Sequence, residues 1–163
     1  NDDEVETLVD YALQRNMDIS FIEEMPLGAI SDHDRAEVYV SSDTILKRLQ
    51  TRWQLTPSPH KTGGPSRYFQ IAGERSKIGF ISPHSHNFCS TCNRVRMTVE
   101  GRLLLCLGNE HSKDLKSVLR AHPNDLKPLQ DHIVKALALK PEKHHFNLDE
   151  EPQILRFMSA TGG

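Results

Sequence analysis

The sequence predicts a mixed α/β (α+β) fold from three observations. Near the N-terminus, a stretch with helical periodicity is followed by a short run of β-branched and aromatic residues and then a Pro-Gly loop. Two later regions have the pattern of antiparallel hairpins. The last third of the chain carries apolar residues at helical spacing. This order of elements indicates the end of an α/β layer followed by a hairpin-rich domain with C-terminal helices.

The first segment has the form of a single helix–strand unit. Residues 3–15 are predicted to be helical, and Asp18–Glu23 is predicted to be a short buried strand that Pro26-Leu27-Gly28 ends. The helical stripe consists of Val5, Leu8, Val9, Ala12 and Leu13. A lone unit of this kind cannot bury itself. We therefore expect its partner strands to lie outside this chain, and the chain to be part of a longer protein.

The middle of the chain predicts a loop, a helix and a hairpin. Residues 29–37 are polar and predicted to be a loop, and Ser41-Ser42-Asp43 offers an N-cap for the helix that follows. Thr56–Ser66 is rich in Pro, Gly and Ser, which is typical of a connector. Arg67–Ile71 and Lys77–Ile81 are predicted to pair as an antiparallel hairpin.

The three cysteines of the chain lie within 18 residues, as Cys89-x-x-Cys92 followed by Cys106. The first pair has the spacing of metal ligands, and three thiolates can hold a metal or a cluster while leaving one coordination position open. From spacing alone, an iron–sulfur cluster and a zinc site completed by a histidine are both possible. His84, His86 and His111 are near enough in sequence to complete such a zinc site.

The residues between Cys92 and Cys106 predict a hairpin that closes the site. Arg94–Val99 alternates polar and apolar residues, Glu100-Gly101 can form the turn, and Arg102–Cys106 is the return strand. This folding brings Cys106 back towards Cys92. The alternation places Arg94, Arg96 and Thr98 on one face, so positive charge is expected beside the thiols. An anionic ligand is the expected occupant.

The C-terminal third is predicted to be helical. Ser112 can cap a helix that carries Leu115, and Asn124 can cap a second one.

The composition of the chain limits the classes of function it can have. With 37% hydrophobic and 26% charged residues over 163 positions, the chain is typical of soluble globular proteins. A net charge of −2 disfavours a general nucleic-acid binder.

The sequence also limits the cellular location of the protein and the other kinds of functional site it can contain. No run approaches the roughly 20 apolar residues of a membrane span, so no membrane association is expected. An odd cysteine count without a signal sequence favours a reducing, cytoplasmic setting. The sequence contains no P-loop and no Ser/His/Asp set, and nothing in it specifies an oligomeric state.

The residues around the cysteines carry a family resemblance. The runs Phe80–Pro83 and Asn87–Arg96, with Glu100–Leu103 and Cys106-Leu107, resemble the C-terminal part of the GTP 3′,8-cyclases of molybdenum cofactor biosynthesis. Phe21–Gly28 is similar to that family's late barrel strand and loop. Members are radical S-adenosylmethionine enzymes with an incomplete TIM-type barrel. The resemblance implies that residues 1–36 end that partial barrel and that residues 37–163 form an iron–sulfur and GTP-binding domain.

The same resemblance implies roles for individual residues. Cys89, Cys92 and Cys106 would hold an auxiliary [4Fe–4S] cluster whose open iron binds the purine of GTP. The segment Arg94, Val95 and Arg96 would contact GTP, with the arginines suited to its phosphates. Met25 would line the S-adenosylmethionine pocket. The terminal pair Gly162-Gly163 would take a late catalytic role.

The resemblance also implies a reaction and a partner. Family members convert GTP to 3′,8-cyclo-7,8-dihydro-GTP, starting from an adenosyl radical that takes hydrogen from ribose C3′. The next enzyme, cyclic pyranopterin monophosphate synthase, is the implied partner. The family's C-x-x-x-C-x-x-C motif for the first cluster is absent from this sequence, which implies that the chain alone is inactive.

Two departures and two alternatives accompany this interpretation. Ser20 stands where many members have arginine, which puts that substrate contact in doubt, and Ala160-Thr161 replaces a bulkier pair before the glycines. One alternative is a zinc-bound structural or interaction module without catalysis. The other is a radical enzyme with an auxiliary cluster that acts on peptides or sugars.

Overall fold

The computed structural model describes residues 1–28, 34–144, 146–148, 154 and 157. It confirms a mixed α+β chain, and the described residues form no closed barrel. Two short 3₁₀ turns, Asp2–Glu4 and Cys89–Thr91, accompany the regular elements. The helices are α1 (Val5–Gln14), α2 (Arg35–Val38), α3 (Ser42–Gln50), α4 (Leu115–Ala121) and α5 (Lys127–Leu137). The strands are β1 (Ile19–Ile22), β2 (Leu55–Pro57), β3 (Arg67–Ile71), β4 (Lys77–Ile81), β5 (Arg96–Met97), β6 (Arg102–Leu104) and β7 (Ser112–Asp114).

The chain divides into two compact units, and neither is continuous in sequence. The first contains Asn1–Met25 and Glu37–Phe88, and the second contains Pro26–Ala36 and Cys89–Gly163. The predicted boundary after residue 36 concerns domains of a longer parent protein and stays a prediction.

The first unit is built on a four-stranded sheet in the order β1-β4-β3-β2. The predicted hairpin is confirmed, since β3 and β4 pair antiparallel with Arg67 opposite Phe80. Gly73 takes φ +85° in its turn, a conformation that favours glycine. The expectation that the partner strands of β1 lie outside this chain is wrong, since β1 runs parallel to β4, with Phe21 opposite Phe80. The carboxyl ends of β1 and β4 therefore lie at the same edge of the sheet.

One face of this sheet packs against α1 and α3. The predicted stripe of α1 is confirmed by the burial of Val5, Val9 and Ala12, and Ser41 caps α3 by accepting a hydrogen bond from the Thr44 N–H at 3.1 Å. The cluster consists of Val5, Val9, Leu49, Leu55, Ile71, Ile78 and Phe80. Burial of these side chains is the main force that holds the unit together.

Three local predictions for this region are corrected. Strand β1 is only half buried, with Ile22 57% exposed, because helices cover one face of the sheet. The last three residues of the predicted loop 29–37 lie instead in the short helix α2 (Arg35–Val38). The connector predicted to begin at Thr56 starts instead with β2. Pro57 is tolerated there because β2 is an edge strand.

The second unit combines the antiparallel sheet β5-β6-β7 with α4 and α5. The hairpin predicted around Gly101 is confirmed, with Arg96 opposite Leu104 and Met97 opposite Leu103. It is shorter than predicted, because β5 spans two residues rather than six. The core consists of Leu103, Leu105, Leu115 and Ala136, with Leu129 and Ile133 packed against it.

Both predicted caps in this unit are wrong. Ser112 pairs with Leu104 as part of β7, so α4 begins after Asp114, whose Oδ1 accepts a hydrogen bond from the Ser117 N–H at 3.0 Å. Helix α5 begins at Lys127 and has no side-chain cap from Asn124. Serine, asparagine and aspartate all favour cap positions. The pairing of β7 with β6 places Ser112 in a strand, which leaves Asp114 as the cap of α4. None of the described helices is both long and apolar enough to cross a membrane.

Candidate metal centre

The three cysteines lie at the open end of the β5–β6 hairpin. Cys89 begins the 3₁₀ turn, and the Cys92 N–H donates to Cys89 O at 3.0 Å. Cys106 follows β6 by two residues. None of the three forms a disulfide, and all three are half-buried. Free thiols with partial solvent access are the form that can take up a metal or a cluster.

The charges of the three thiols act on one another. Burial raises the pKa of the Cys106 thiol, and the Gly108 N–H and the charge of Lys140 oppose that rise. The charges of Cys89 and Cys92 raise this pKa further. The convergence of Cys106 on the Cys89–Cys92 pair into one metal site stays a prediction.

The pKa of the Cys92 thiol is shifted in the opposite direction. Burial alone would raise the pKa of its thiol, but hydrogen bonds from the Arg94 backbone and guanidinium, with the charges of Lys140 and Arg94, lower it. The Arg94 Nη2 lies 3.8 Å from the Cys92 Sγ. A lowered pKa favours the thiolate, which is the form that ligates metals.

No group of three or more His, Cys, Asp or Glu side chains within the described part of the chain is arranged to hold a metal ion. Two of the histidines considered for a zinc site have other contacts. His84 Nε2 lies 2.9 Å from Glu24 O, and His86 Nε2 lies 2.8 Å from Asp43 Oδ1. The chemistry of the donor set still fits an iron–sulfur cluster, because such clusters are held by cysteine thiolates.

The predicted substrate segment alternates in burial. Arg94 and Arg96 are half-buried, whereas Val95 is 38% exposed and Val99 is 93% exposed. The polar face of the strand is therefore the more enclosed one, which reverses the usual pattern for a sheet covering a core. Arg94, half-buried beside the Cys92 thiol, provides positive charge in a partly desolvated setting, where charge-assisted hydrogen bonds are strengthened.

The other predicted site residues lie elsewhere in the chain. Met25 is half-buried in the loop after β1, within the first unit. Ser20, on the exposed side of β1, has its Oγ 3.1 Å from Ser66 Oγ. Gly162 and Gly163 lie outside the described residues, as do Ala160 and Thr161.

Glu23, at the carboxyl end of β1, is a buried carboxylate that the sequence did not single out. Its Oε1 accepts from the Ser42 N–H at 2.9 Å and from the Ser85 hydroxyl. Its Oε2 accepts from the N–H groups of His84 and Ser85 at 2.9 and 3.0 Å. Burial alone would raise its pKa, but these hydrogen bonds lower it from 4.5 to about 2. Glu23 therefore ties together three segments at the carboxyl edge of the parallel pair.

Tyr39 belongs to the same network. Burial raises the pKa of Tyr39 to about 12, and the charge of Glu23 and a hydrogen bond to it contribute. Its ring packs edge-on against His84 with 5.4 Å between centroids. The one signal in the sequence was the position of Glu23, a glutamate at the end of a predicted strand. That position does not specify these hydrogen-bond partners.

Lys140 is the second residue that the sequence did not single out. Its Nζ donates to Arg94 O at 3.1 Å and to Leu105 O at 2.7 Å. Both carbonyls belong to residues next to or near a predicted ligand. A lysine beyond the end of a helix gives no signal of such contacts in the sequence.

The second unit also contains a cleft of about 520 Å³. It is lined by Arg102, Leu105, Glu110, His111, Ser112, Lys113 and Leu139. His111, the third histidine considered for a zinc site, therefore lines this cleft.

Fold and site together define a class, namely a mixed α+β protein with a thiol-bearing antiparallel unit. The model of the family Molybdenum Cofactor Synthesis C matches residues 17–146. The chain belongs to this family. The family resemblance inferred from the cysteine region is thereby confirmed.

Individual relatives agree with the family. The chain is 60% identical over 160 residues to GTP 3′,8-cyclase of Saccharophagus degradans, covering 98% of this chain and 48% of that protein. It is 58% identical over 163 residues to GTP 3′,8-cyclase 2 of Pseudomonas aeruginosa, covering 100% and 49%. The corresponding protein of Ectopseudomonas mendocina is 56% identical, with the same coverage. The chain spans about half the length of the curated relatives it matches.

Proposed function

We propose that this chain is the part of a GTP 3′,8-cyclase that binds an auxiliary [4Fe–4S] cluster and GTP. Cys89, Cys92 and Cys106 are the proposed ligands. The observation that carries the proposal is the antiparallel pairing of β5 with β6, which returns the chain that leads to Cys106 beside the chain that follows Cys92. The relatives named GTP 3′,8-cyclase supply the substrate and the reaction class.

The proposed site divides its work between cluster and protein. When bound by three cysteines, the cluster offers an iron with an open coordination position to the purine. The chain's own residues hold and orient the substrate. Arg94, Val95 and Arg96 form the proposed contact segment, and the arginine guanidinium groups neutralise triphosphate charge through paired hydrogen bonds. Such positioning is the protein's main contribution in cofactor enzymes.

The remaining assignments complete the proposal for the parent protein. Residues 1–36 would end its partial barrel, and Met25 would contact S-adenosylmethionine. Gly162 and Gly163 would take the late catalytic role. The parent would convert GTP to 3′,8-cyclo-7,8-dihydro-GTP and pass it to cyclic pyranopterin monophosphate synthase. A radical mechanism needs the first cluster, whose motif this sequence lacks, so the chain alone is proposed to bind GTP without converting it.

Replacing Arg96 with methionine is expected to weaken GTP binding at least about tenfold. Loss of one charge-assisted contact costs roughly 1.5–3 kcal/mol. Arg96 is a cleaner target than Arg94, whose guanidinium also contacts Cys92. The measurement is an anaerobic equilibrium titration of the reconstituted chain with GTP and, separately, with ATP.

The matched control is Arg102→Met in the same hairpin. Arg102 Nε donates to Ser112 Oγ at 2.9 Å, and Arg102 is outside the proposed GTP segment. We expect this variant to bind GTP as the unaltered chain does. Equal affinity in the Arg96 and Arg102 variants would contradict the assignment. A reconstituted chain that binds no purine nucleotide would favour the alternative of a radical enzyme for peptides or sugars.

A further inference from the structure

Lys140 lies where the chain leaves α5 and reaches the open end of the hairpin. Its own N–H donates to Leu137 O at 3.0 Å, so its backbone is fixed to the last turn of the helix. Its Nζ then donates to Arg94 O and Leu105 O at 3.1 and 2.7 Å. One side chain therefore bridges both arms of the hairpin.

The bridge occurs where the regular strand pairing has ended. Arg96 pairs with Leu104 and Met97 with Leu103, and the same register continued outward would place residue 94 opposite residue 106. The described pairing stops before that point, so carbonyl groups there take hydrogen-bond donors from outside the strand ladder. The ammonium group of Lys140 donates hydrogen bonds to two of these carbonyl groups.

These two carbonyls adjoin the proposed ligands. Arg94 follows Cys92 by two residues, and Leu105 directly precedes Cys106. Lys140 thus contacts the backbone of both segments that carry these ligands, and it brings a positive charge to each of them.

We propose that Lys140 is a positioning residue that fixes the spacing of Cys92 and Cys106 and tunes the cluster they would hold. The inference rests on the proposed function. Residues that support metal ligands orient them and adjust their electronic properties. A nearby positive charge favours the reduced, more negative state of a cluster, so Lys140 is expected to raise its reduction potential.

Lys140→Met removes the charge and both donors while keeping similar length. Lys135→Met, at an exposed position on α5, is the matched control because it removes the same charge at a distance from the bridge. Lys140→Arg retains the charge. The first measurement uses the metal-free chain, with amide hydrogen exchange followed by mass spectrometry over residues 93–97 and 103–107.

We expect faster exchange in both segments for Lys140→Met and unchanged exchange for Lys135→Met. After anaerobic reconstitution, Lys140→Met should lose iron to a chelator roughly tenfold faster or more, in keeping with other supporting residues. Its midpoint potential should be more negative than that of the unaltered chain. Lys140→Arg should recover most of the potential.

Exchange rates in Lys140→Met that match those of Lys135→Met in both segments would overturn the positioning role. Matching midpoint potentials would overturn the tuning role. The outcome is separable from that of the proposed function. If the unaltered chain takes up no iron, the proposed cluster fails, while the exchange measurement still decides whether Lys140 holds the thiol-bearing arms.

Discussion

Replacing Cys106 with alanine is expected to remove nearly all cluster iron from the anaerobically reconstituted chain. Two thiolates would remain, and [4Fe–4S] clusters of this kind need at least three to be held. Cys106 is half-buried at the end of β6, so its truncation should leave the fold intact. Iron and sulfide analysis, with the visible absorption spectrum, measures the loss.

Ser90→Ala is the matched control, because Ser90 is exposed and lies between Cys89 and Cys92 without being a proposed ligand. It should retain the full iron content. Circular dichroism of both variants checks that the fold is retained. A Cys106→Ala chain that keeps the iron content of Ser90→Ala would contradict the three-cysteine site.

Replacing Glu23 with glutamine is expected to lower the free energy of unfolding at pH 7 by about 3 kcal/mol or more. The amide is nearly isosteric, but it has one acceptor oxygen where the carboxylate has two. Its NH₂ group would face N–H or O–H donors now served by Glu23, including the backbone N–H groups of Ser42, His84 and Ser85. A buried donor left without an acceptor carries its full desolvation cost.

The same network predicts an acid dependence of stability. Glu23 has a pKa of about 2 in the folded chain against 4.5 otherwise. Its lowered pKa stabilises the fold above the unfolded-state value, and this contribution is lost as the pH falls from about 5 towards 2. The shift corresponds to about 3 kcal/mol at neutral pH. The difference in unfolding free energy between Glu23→Gln and the unaltered chain should therefore shrink as the solution is acidified.

Denaturant unfolding at pH 7, 5 and 3 measures this difference, with the fluorescence of Trp53, the single tryptophan, as the signal. Trp53 packs against the core of the first unit. Glu74→Gln, in the exposed β3–β4 turn, is the matched control and should change stability little at any of these pH values. A Glu23→Gln chain as stable as the control at pH 7 would refute the network's role.

Local patterns predicted much of the fold because short-range interactions decide those elements. The stripe of α1, the Ser41 cap and the β3–β4 hairpin each depend on residues close in sequence. The wrong predictions arose where several nearby residues were equally suited to a role and a contact with a distant residue decided between them. Ser112 pairs with β6 as part of strand β7, and α4 is therefore capped by Asp114.

The candidate site divides in the same way. The spacing between Cys92 and Cys106 was sufficient to predict the hairpin between them, which turns at Gly101. The roles of Glu23 and Lys140 were not predictable. Each depends on contacts across long sequence separations, such as that of Lys140 Nζ with Arg94 O.

The most direct test of the central claim is the iron, sulfide and zinc content of the unaltered chain after anaerobic reconstitution, recorded with its absorption spectrum before and after GTP is added. The proposal predicts about four irons and four sulfides per chain and a spectral change with GTP that ATP does not reproduce. One tightly held zinc ion with no capacity for iron would contradict the proposal and favour a structural zinc module.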